Sequence, residues 1–318
     1  MIRSKIDEFV APFHVAINLT SNCQAKCHYC YSYNDKSYIS LSDYKNLVDE
    51  LVAMEVFEYC IAGGEPFLHP ESVEMIEYLA SKVTNRNISI VNHGMSITPE
   101  KASKIKEIFI DKYKSEYCIQ VSIDSHIDTI NRKTRAGTSL SVVENGLRIW
   151  TNSGLSNIQI GTVATSINSS HYDETIRYYY KNFGIKNFHL MHLEFPNHRD
   201  KAFLKSISLN KNEFINLMKA LRDIKKELPD INIVDSYNPR EKSVEMPTIK
   251  GKGCSAGVTH CEILANLDVI PCGMATKFIL GSLKKTSFKE IWHGSTVTAI
   301  RNQSSLLCDK NFPEIFNK

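Results

Sequence analysis

Residues 13–31 read FHVAINLTSNCQAKCHYCY, an apolar segment followed by a polar loop that carries Cys23, Cys27 and Cys30. The first part is rich in β-branched and aromatic residues, which predicts a β-strand. Three thiols so close together predict a metal centre. A structural zinc site takes four ligands, whereas a [4Fe-4S] cluster held by three thiolates leaves one iron open to a ligand from outside the protein. The alternatives are a zinc site completed by a distant histidine, and free cysteines.

The composition is typical of a globular protein. It has 318 residues, 42% of them hydrophobic, which is enough for a large core. A net charge of +3 does not indicate nucleic acid or an anionic membrane as the main partner. No apolar run reaches the roughly 18 to 20 residues of a membrane helix, and the N-terminus lacks the apolar centre of a signal peptide, so we expect a cytoplasmic protein. Nine cysteines in that compartment are expected to be metal ligands rather than disulfide partners.

Short apolar segments alternate with longer segments of helical spacing. Each predicted strand is rich in β-branched or aromatic residues and is followed by a predicted helix. The predicted strands are 13–20, 56–62, 87–93, 117–123, 157–164 and 187–193. Six βα units imply a parallel sheet with right-handed crossovers, either an open doubly wound sheet or a partial barrel. In both, the active site forms at the C-terminal ends of the strands, which is where the cysteine loop falls.

The spacing Cys23-x3-Cys27-x2-Cys30, with Tyr29 before the last cysteine, resembles the signature of radical S-adenosylmethionine (radical SAM) enzymes. The resemblance implies that the three thiolates hold a [4Fe-4S] cluster whose fourth iron chelates S-adenosylmethionine. One electron then cleaves this cofactor to a 5′-deoxyadenosyl radical. The resemblance also implies that Tyr29 contributes to cofactor binding.

A second stretch, AGGEP at 62–66, follows the second predicted strand, as the Gly-Gly-Glu-Pro stretch of that family does. Gly63 and Gly64 have no Cβ, so the backbone can approach a ligand closely. The resemblance makes Glu65 the acceptor for the ammonium group of the cofactor, with Pro66 stiffening the exit of the turn. Taken alone, the stretch would more often be an ordinary loop.

Further matches lie on later strand ends. By the same resemblance, Ser122 and Arg135 bind the carboxylate of the cofactor, a task that suits the planar fork of arginine. Asn92, in VNHG at 91–94, is expected near the ribose, although His93 departs from the family pattern. The resemblance covers residues 13 to about 195, and we expect an α/β fold with a partial (β/α)6 TIM-like barrel over 1–195.

Residues 196–253 are expected to form a linker and a bridging helix. Residues 254–318 resemble the SPASM or twitch extension of radical SAM enzymes, which implies one auxiliary [4Fe-4S] cluster. Cys254 and Cys272 match that pattern best, with Cys308 as a third ligand and Cys261 as the fourth. Another residue or the substrate could fill the fourth position, and zinc is the alternative metal.

The motifs predict an enzyme in which the deoxyadenosyl radical abstracts hydrogen from a substrate. By resemblance of the C-terminal extension, the expected substrate is a ribosomal peptide that is crosslinked, oxidised or epimerised. Cys60, Cys118 and Cys261 are the candidate hydrogen donors, although thiols inside predicted strands, such as Cys60 and Cys118, are more often inert core residues. Expected partners are a flavodoxin or ferredoxin-type electron donor and a separate leader-peptide-binding protein, with neither nucleic acid nor membrane. The alternatives are a small-molecule dehydrogenase or epimerase, for example on an amino sugar, and an iron-sulfur electron carrier or zinc-binding module.

Overall fold

The computed structural model describes residues 10–32, 35–196, 198–235, 256–276 and 278–301. Its strands, in chain order, are β1 (His14–Asn18), β2 (Lys26–Cys27), β3 (Glu58–Ala62), β4 (Asn87–Asn92), β5 (Glu116–Ser122), β6 (Arg135–Ala136), β7 (Ile158–Ala164), β8 (Asn187–His192), β9 (Asn232–Asp235), β10 (His260–Ile263), β11 (Asp268–Ile270) and β12 (Gly281–Ser282).

Several helices begin at sequence signals for capping. Ser40 caps the first helix through its side chain, Thr98 caps the third with Pro99 behind it, and Asn210 forms a capping box with Glu213. The α-helices are α1 (Leu41–Ala53), α2 (Ser72–Lys82), α3 (Pro99–Lys106), α4 (Asp128–Thr134), α5 (Leu140–Asn152), α6 (Tyr172–Phe183), α7 (Lys201–Ser206), α8 (Lys211–Glu227), α9 (Phe288–Trp292) and α10 (Ser295–Arg301). Within the described ranges, no helix is both long and apolar enough to cross a membrane.

One sheet organises the molecule, in the order β12-β11-β10-β1-β3-β4-β5-β7-β8-β9. Every pairing from β10 to β9 is parallel, and only the β10–β11 and β11–β12 pairings are antiparallel. The six predicted strands are β1, β3, β4, β5, β7 and β8, and they lie side by side in the predicted order. The α/β class with a largely parallel, TIM-like sheet is therefore confirmed.

Two further strands extend this parallel array, and the sequence analysis did not identify either. β9 lies in the predicted linker region and pairs with β8, while β10 from the C-terminal part pairs with β1. Both are short, four residues each, so their composition does not mark them as strands. They form because each edge of the six-stranded array presents unpaired backbone N–H and C=O groups.

The two faces of the sheet differ in polarity. Successive side chains on a strand point to opposite faces. The face covered by helices is apolar and contains fully buried residues such as Ile17, Ile61 and Ile119. The inner face carries small or polar side chains, among them Ala16, Asn18, Cys60, Ser89, Cys118, Gln120, His189 and Glu262. The inner face is therefore lined by smaller and more polar side chains than the helix-covered face.

The C-terminal part is tied to the barrel at two places. β10 pairs with β1 along its length, with His14 opposite His260. The Glu50 carboxylate at the end of α1 accepts hydrogen bonds from the backbone N–H groups of Phe288 and Lys289, at 3.0 and 2.9 Å. These are orphan donors of the first turn of α9, where negative charge is favourable.

The loop after β1 and the loop after β3 are in backbone contact at the C-terminal edge of the sheet. Gly64 N–H donates to Thr20 O at 2.7 Å, and Glu65 N–H donates to Asn22 O at 2.8 Å. A Cβ on Gly64 would lie 2.4 Å from Asn22 O, and one on Gly63, whose φ is +137°, would lie 2.3 Å from Thr20 O. Both glycines are thus required by the approach of the cysteine loop, where the sequence analysis had assigned them to the approach of a ligand.

We expect Gly64→Ala to destabilise the protein by about 3 kcal/mol, because a backbone atom cannot move aside as a flexible side chain can. Gly184→Ala is the control. The φ of Gly184 is +67°, but nothing lies within 4 Å of an added Cβ. The only expected loss of stability is therefore the strain of alanine in a left-handed backbone conformation, about 1 kcal/mol. Denaturant unfolding of the apo-proteins measures both values. Equal losses would show that steric contact with the cysteine loop is not what Gly64 avoids.

Candidate functional site

The cysteine loop is held in place by a short two-stranded ladder. β2 pairs antiparallel with β6, with Cys27 opposite Arg135. Cys27 is buried, whereas Cys23 and Cys30 are partly exposed. Burial raises the pKa of Cys27 to about 11, an effect that Arg135 opposes, and raises the pKa of Cys23 to about 12. The charges of Cys27 and Cys30 act on Cys23, and that of Cys30 acts on Cys27. The three thiols therefore lie near one another on one loop, and thiolates are the ligand type that an iron-sulfur cluster takes.

Glu65 lies next to this loop and is fully buried. One carboxylate oxygen accepts from His93 N–H at 2.9 Å and the other from Phe67 N–H at 3.3 Å. Burial raises the pKa of Glu65 to about 7, and the two backbone donors oppose the rise. A buried carboxylate with further acceptor capacity is suited to an ammonium group.

His93, where the sequence departs from the family pattern, contacts both the cysteine loop and Glu65. Its Nε2 lies 3.0 Å from Gln24 Oε1 in the cysteine loop, and its Nδ1 lies 3.1 Å from a Glu65 oxygen. Burial lowers the pKa of His93 to about 4, so the imidazole is neutral near pH 7. Its contact with Glu65 is therefore not an ion pair.

The polar atoms of Asn92 are bonded within the protein. Its Nδ2 donates to Gln120 O at 3.1 Å, and its Oδ1 accepts from Gly94 N–H at 2.9 Å and from Trp150 Nε1–H at 3.3 Å. These bonds fix the end of β4 and leave the side chain buried, so the proposed contact with a ribose gains no support. Ser122, the last residue of β5, is half-buried at the same edge of the sheet.

Arg135 lies beneath the cysteine loop. Its guanidinium lies 3.1 Å from Asp124 Oδ1, 3.9 Å from Cys27 Sγ and 5.6 Å from the centre of the Tyr29 ring. The Tyr29 hydroxyl donates to Asp124 Oδ2 at 2.6 Å. The structure thus brings together Tyr29, Arg135 and a cysteine of the triad, and joins them through Asp124, a residue to which the sequence analysis gave no role.

A second residue that the sequence analysis missed reaches the loop from the far end of the barrel. Arg199, just before α7, donates through Nε to Cys30 O at 2.6 Å and through a terminal nitrogen to Ser32 O at 3.2 Å. The His28 and Phe203 rings lie 4.6 Å apart in the same region. The sequence carries no signal for this contact, because the two segments are 169 positions apart.

The C-terminal cysteines are placed differently from one another. Cys261 lies on β10 in the apolar core and is fully buried, whereas Cys272 follows β11 and is partly exposed. The placement of Cys261 gives no support to its predicted role as a ligand, which stays a prediction. Cys254 and Cys308 lie outside the described residues.

Tyr31 connects the cysteine loop with the Cys272 region. A Cβ added to Gly273 would lie 2.7 Å from the Tyr31 ring, so the ring packs directly on this glycine. The Tyr31 hydroxyl bonds Glu262, whose other partner is Asn18 Nδ2 at 2.7 Å. Burial raises the pKa of Glu262 to about 7, opposed by these two bonds. The cysteine loop is therefore in contact with the loop that carries Cys272, one predicted ligand of the auxiliary cluster.

The chain spans less than half the length of several curated relatives that it matches. It is 27% identical over 168 residues to mycofactocin maturase MftC of Mycobacterium tuberculosis (strain CDC 1551 / Oshkosh), covering 52% of this chain and 41% of that protein. It is 29% identical over 122 residues to the antilisterial bacteriocin subtilosin biosynthesis protein AlbA of Bacillus subtilis (strain 168), covering 37% of this chain and 26% of that protein.

Solved structures share the fold. Streptococcus suis SuiB bound to precursor peptide SuiA superposes with a TM-score of 0.75 at 16% identity, covering 92% of this chain and 67% of that one. Native anSMEcpe with bound AdoMet gives a TM-score of 0.68 at 20% identity, covering 91% and 82%. An iron-sulfur cluster-binding domain, SPASM, matches residues 254–311. The radical SAM superfamily matches residues 17–179, more than half of the chain, and the chain therefore belongs to that superfamily.

Proposed function

We propose that this chain is a radical SAM enzyme that matures a ribosomally made peptide. The observation that carries the proposal is the contact between the cysteine loop and the Cys272 region, made by the Tyr31 ring against Gly273. In this proposal the cysteine loop holds the cluster for reductive cleavage, and the loop with Cys272 contributes a ligand to an auxiliary cluster next to it. The names of the relatives, a maturase and a bacteriocin biosynthesis protein, support a peptide substrate.

When bound, the cluster and S-adenosylmethionine supply the deoxyadenosyl radical that abstracts hydrogen from the substrate. In this proposal Cys23, Cys27 and Cys30 hold the cluster, and the buried Glu65 carboxylate accepts hydrogen bonds from the ammonium group of S-adenosylmethionine. The hydrogen-bonded loops around Gly64 fix the position of Glu65 relative to the cysteine loop. This matters because radical chemistry depends on the position of the abstracted hydrogen.

The inner face of the barrel supports a substrate with many polar groups. Gln120 bonds His189 across the interior at 3.0 Å, and Asn18 bonds Glu262. Amide and carboxylate groups of this kind can exchange their bonds for those of a peptide backbone. An electron donor of the flavodoxin or ferredoxin type and a separate leader-peptide-binding protein complete the proposal.

The candidate hydrogen donors divide between the two faces of the sheet. Cys60 and Cys118 lie on the inner face in register with Ser89, which stands between them on β4. Cys261 lies on the helix-covered face, in the apolar core. If the reaction is an epimerisation, Cys60 and Cys118 are therefore the donors to test first.

The first prediction concerns iron. Anaerobically reconstituted protein should hold about eight iron atoms in two clusters. The triple variant Cys23→Ala, Cys27→Ala, Cys30→Ala should lose one cluster and keep the other. The double variant Cys60→Ala, Cys118→Ala is the control and should keep both. Metal analysis that finds zinc without iron would contradict the proposal.

The second prediction concerns the cofactor. Glu65→Gln should weaken binding of S-adenosylmethionine by about 1–3 kcal/mol, because a charge-assisted hydrogen bond is lost. Glu58→Gln is the control, since Glu58 begins the same strand that Glu65 follows and lies at the opposite edge. Equilibrium dialysis of the reconstituted protein measures both affinities. Equal affinity in the wild type and Glu65→Gln would show that Glu65 does not bind the cofactor.

The third prediction concerns the substrate. A short precursor gene should lie beside this one, and its product should change when the two are co-expressed. A loss of about two mass units would indicate oxidation or a crosslink, because two hydrogens leave. A gain of about one unit in deuterated solvent, with no change in ordinary water, would indicate epimerisation. If only a sugar or another metabolite supports formation of deoxyadenosine, the small-molecule alternative replaces the peptide.

A further inference from the structure

A buried ionic pair lies directly under the cysteine loop. Arg135 and Asp124 are 6% and 0% exposed, and Arg135 Nε lies 3.1 Å from Asp124 Oδ1. Arg135 stands opposite Cys27 in the β2–β6 ladder, and its terminal nitrogen donates to Cys27 Sγ at 3.9 Å. A full positive charge therefore lies beside one of the three thiols that are proposed to hold the cluster.

The Asp124 carboxylate is held from several sides. One oxygen accepts from the Tyr29 and Thr134 hydroxyls, both at 2.6 Å, and the other accepts from Val163 N–H at 3.0 Å. Because these partners come from three separate segments, the carboxylate has little freedom to move. Its ion pair with Arg135 thus holds the guanidinium under Cys27.

We propose that Arg135, held by Asp124, is a positioning residue for the cluster and raises the reduction potential of that cluster by donating to the Cys27 thiolate. This inference rests on the proposed function, which places the cluster at the cysteine triad. Reduction adds negative charge, which hydrogen bonds to the sulfur atoms and nearby cations stabilise. The effect is strong in a buried site, where charges are poorly screened.

Arg135 and Asp124 carry opposite charges, so the inference predicts opposite shifts of the reduction potential when one or the other charge is removed. Removal of the Arg135 charge should make the cluster harder to reduce. Removal of the Asp124 charge should make it easier to reduce, because the guanidinium then has no counterion. A purely structural role would not link the sign of the shift to the sign of the charge removed.

The test is an EPR-monitored redox titration of the cluster signal that is missing from the triple cysteine variant, recorded without S-adenosylmethionine or substrate. We expect a lower midpoint potential in Arg135→Gln and a higher one in Asp124→Asn. Arg86→Gln is the matched control. Its guanidinium also lies over an aromatic ring, 5.8 Å from the centre of Phe57, and bonds two backbone carbonyls at the opposite edge of the sheet.

Circular dichroism of each apo-protein shows whether the variant is folded. If Asp124→Asn does not fold, Arg135→Lys is measured in its place. Lysine keeps the positive charge but lacks the planar guanidinium, so the midpoint potential of this variant should lie between those of the wild type and Arg135→Gln. Midpoints equal to the wild type, or shifted in the same direction in Arg135→Gln and Asp124→Asn, overturn the inference.

Affinity for S-adenosylmethionine separates the two possible roles of Arg135. A loss of affinity in Arg135→Gln with an unchanged midpoint assigns Arg135 to the cofactor alone and also overturns the inference. If the wild type binds no cluster at the cysteine triad, both the inference and the proposed function are wrong. A cluster with an unchanged midpoint in every variant refutes only the inference.

Discussion

The parallel pairing of β1 with β3 on one side and β10 on the other is the constraint on which the arrangement of the site depends. β1 ends where the cysteine loop begins, and β3 ends at the Gly-Gly-Glu turn. In parallel strands, the carboxyl ends meet at one edge, so the β1–β3 pairing brings these two loops together. β10 holds the C-terminal part against β1, Cys272 follows the antiparallel β11, and the Tyr31 ring packs on Gly273 to join that region to the cysteine loop.

The contact between the cysteine loop and the Gly63–Gly64 turn is the closest part of this arrangement. Two backbone hydrogen bonds join the loops, and any side chain at either glycine would strike a backbone carbonyl. Such a contact is stiff, because the atoms that meet belong to the main chain on both sides. Glu65 inherits its position from this contact, since its own N–H makes one of the two bonds.

The polar interior of the barrel is a consequence of strand alternation. Val15, Ile17 and Ile61 supply the apolar face against the helices, so their neighbours Ala16 and Cys60 face inward. In a closed TIM barrel, the inward layer is filled by bulky apolar side chains. Here the inward residues include small and hydrogen-bonding groups, and Cys60 and Cys118 are among them.

Local patterns in the sequence determined the six central strands, the cysteine loop and the glycine turn, because hydrophobic periodicity and short motifs depend on neighbouring residues. The tertiary structure alone decided which residues support them. β9 and β10 form because open sheet edges accept them, and Asp124 and Arg199 act on the cysteine loop from positions far away in the chain. The same holds for Cys60 and Cys261, both within strands, since only the packed sheet shows that one faces the interior and the other the apolar core. Contacts between distant segments depend on sheet order and register, which arise from the burial and backbone pairing of the whole chain and leave no local mark.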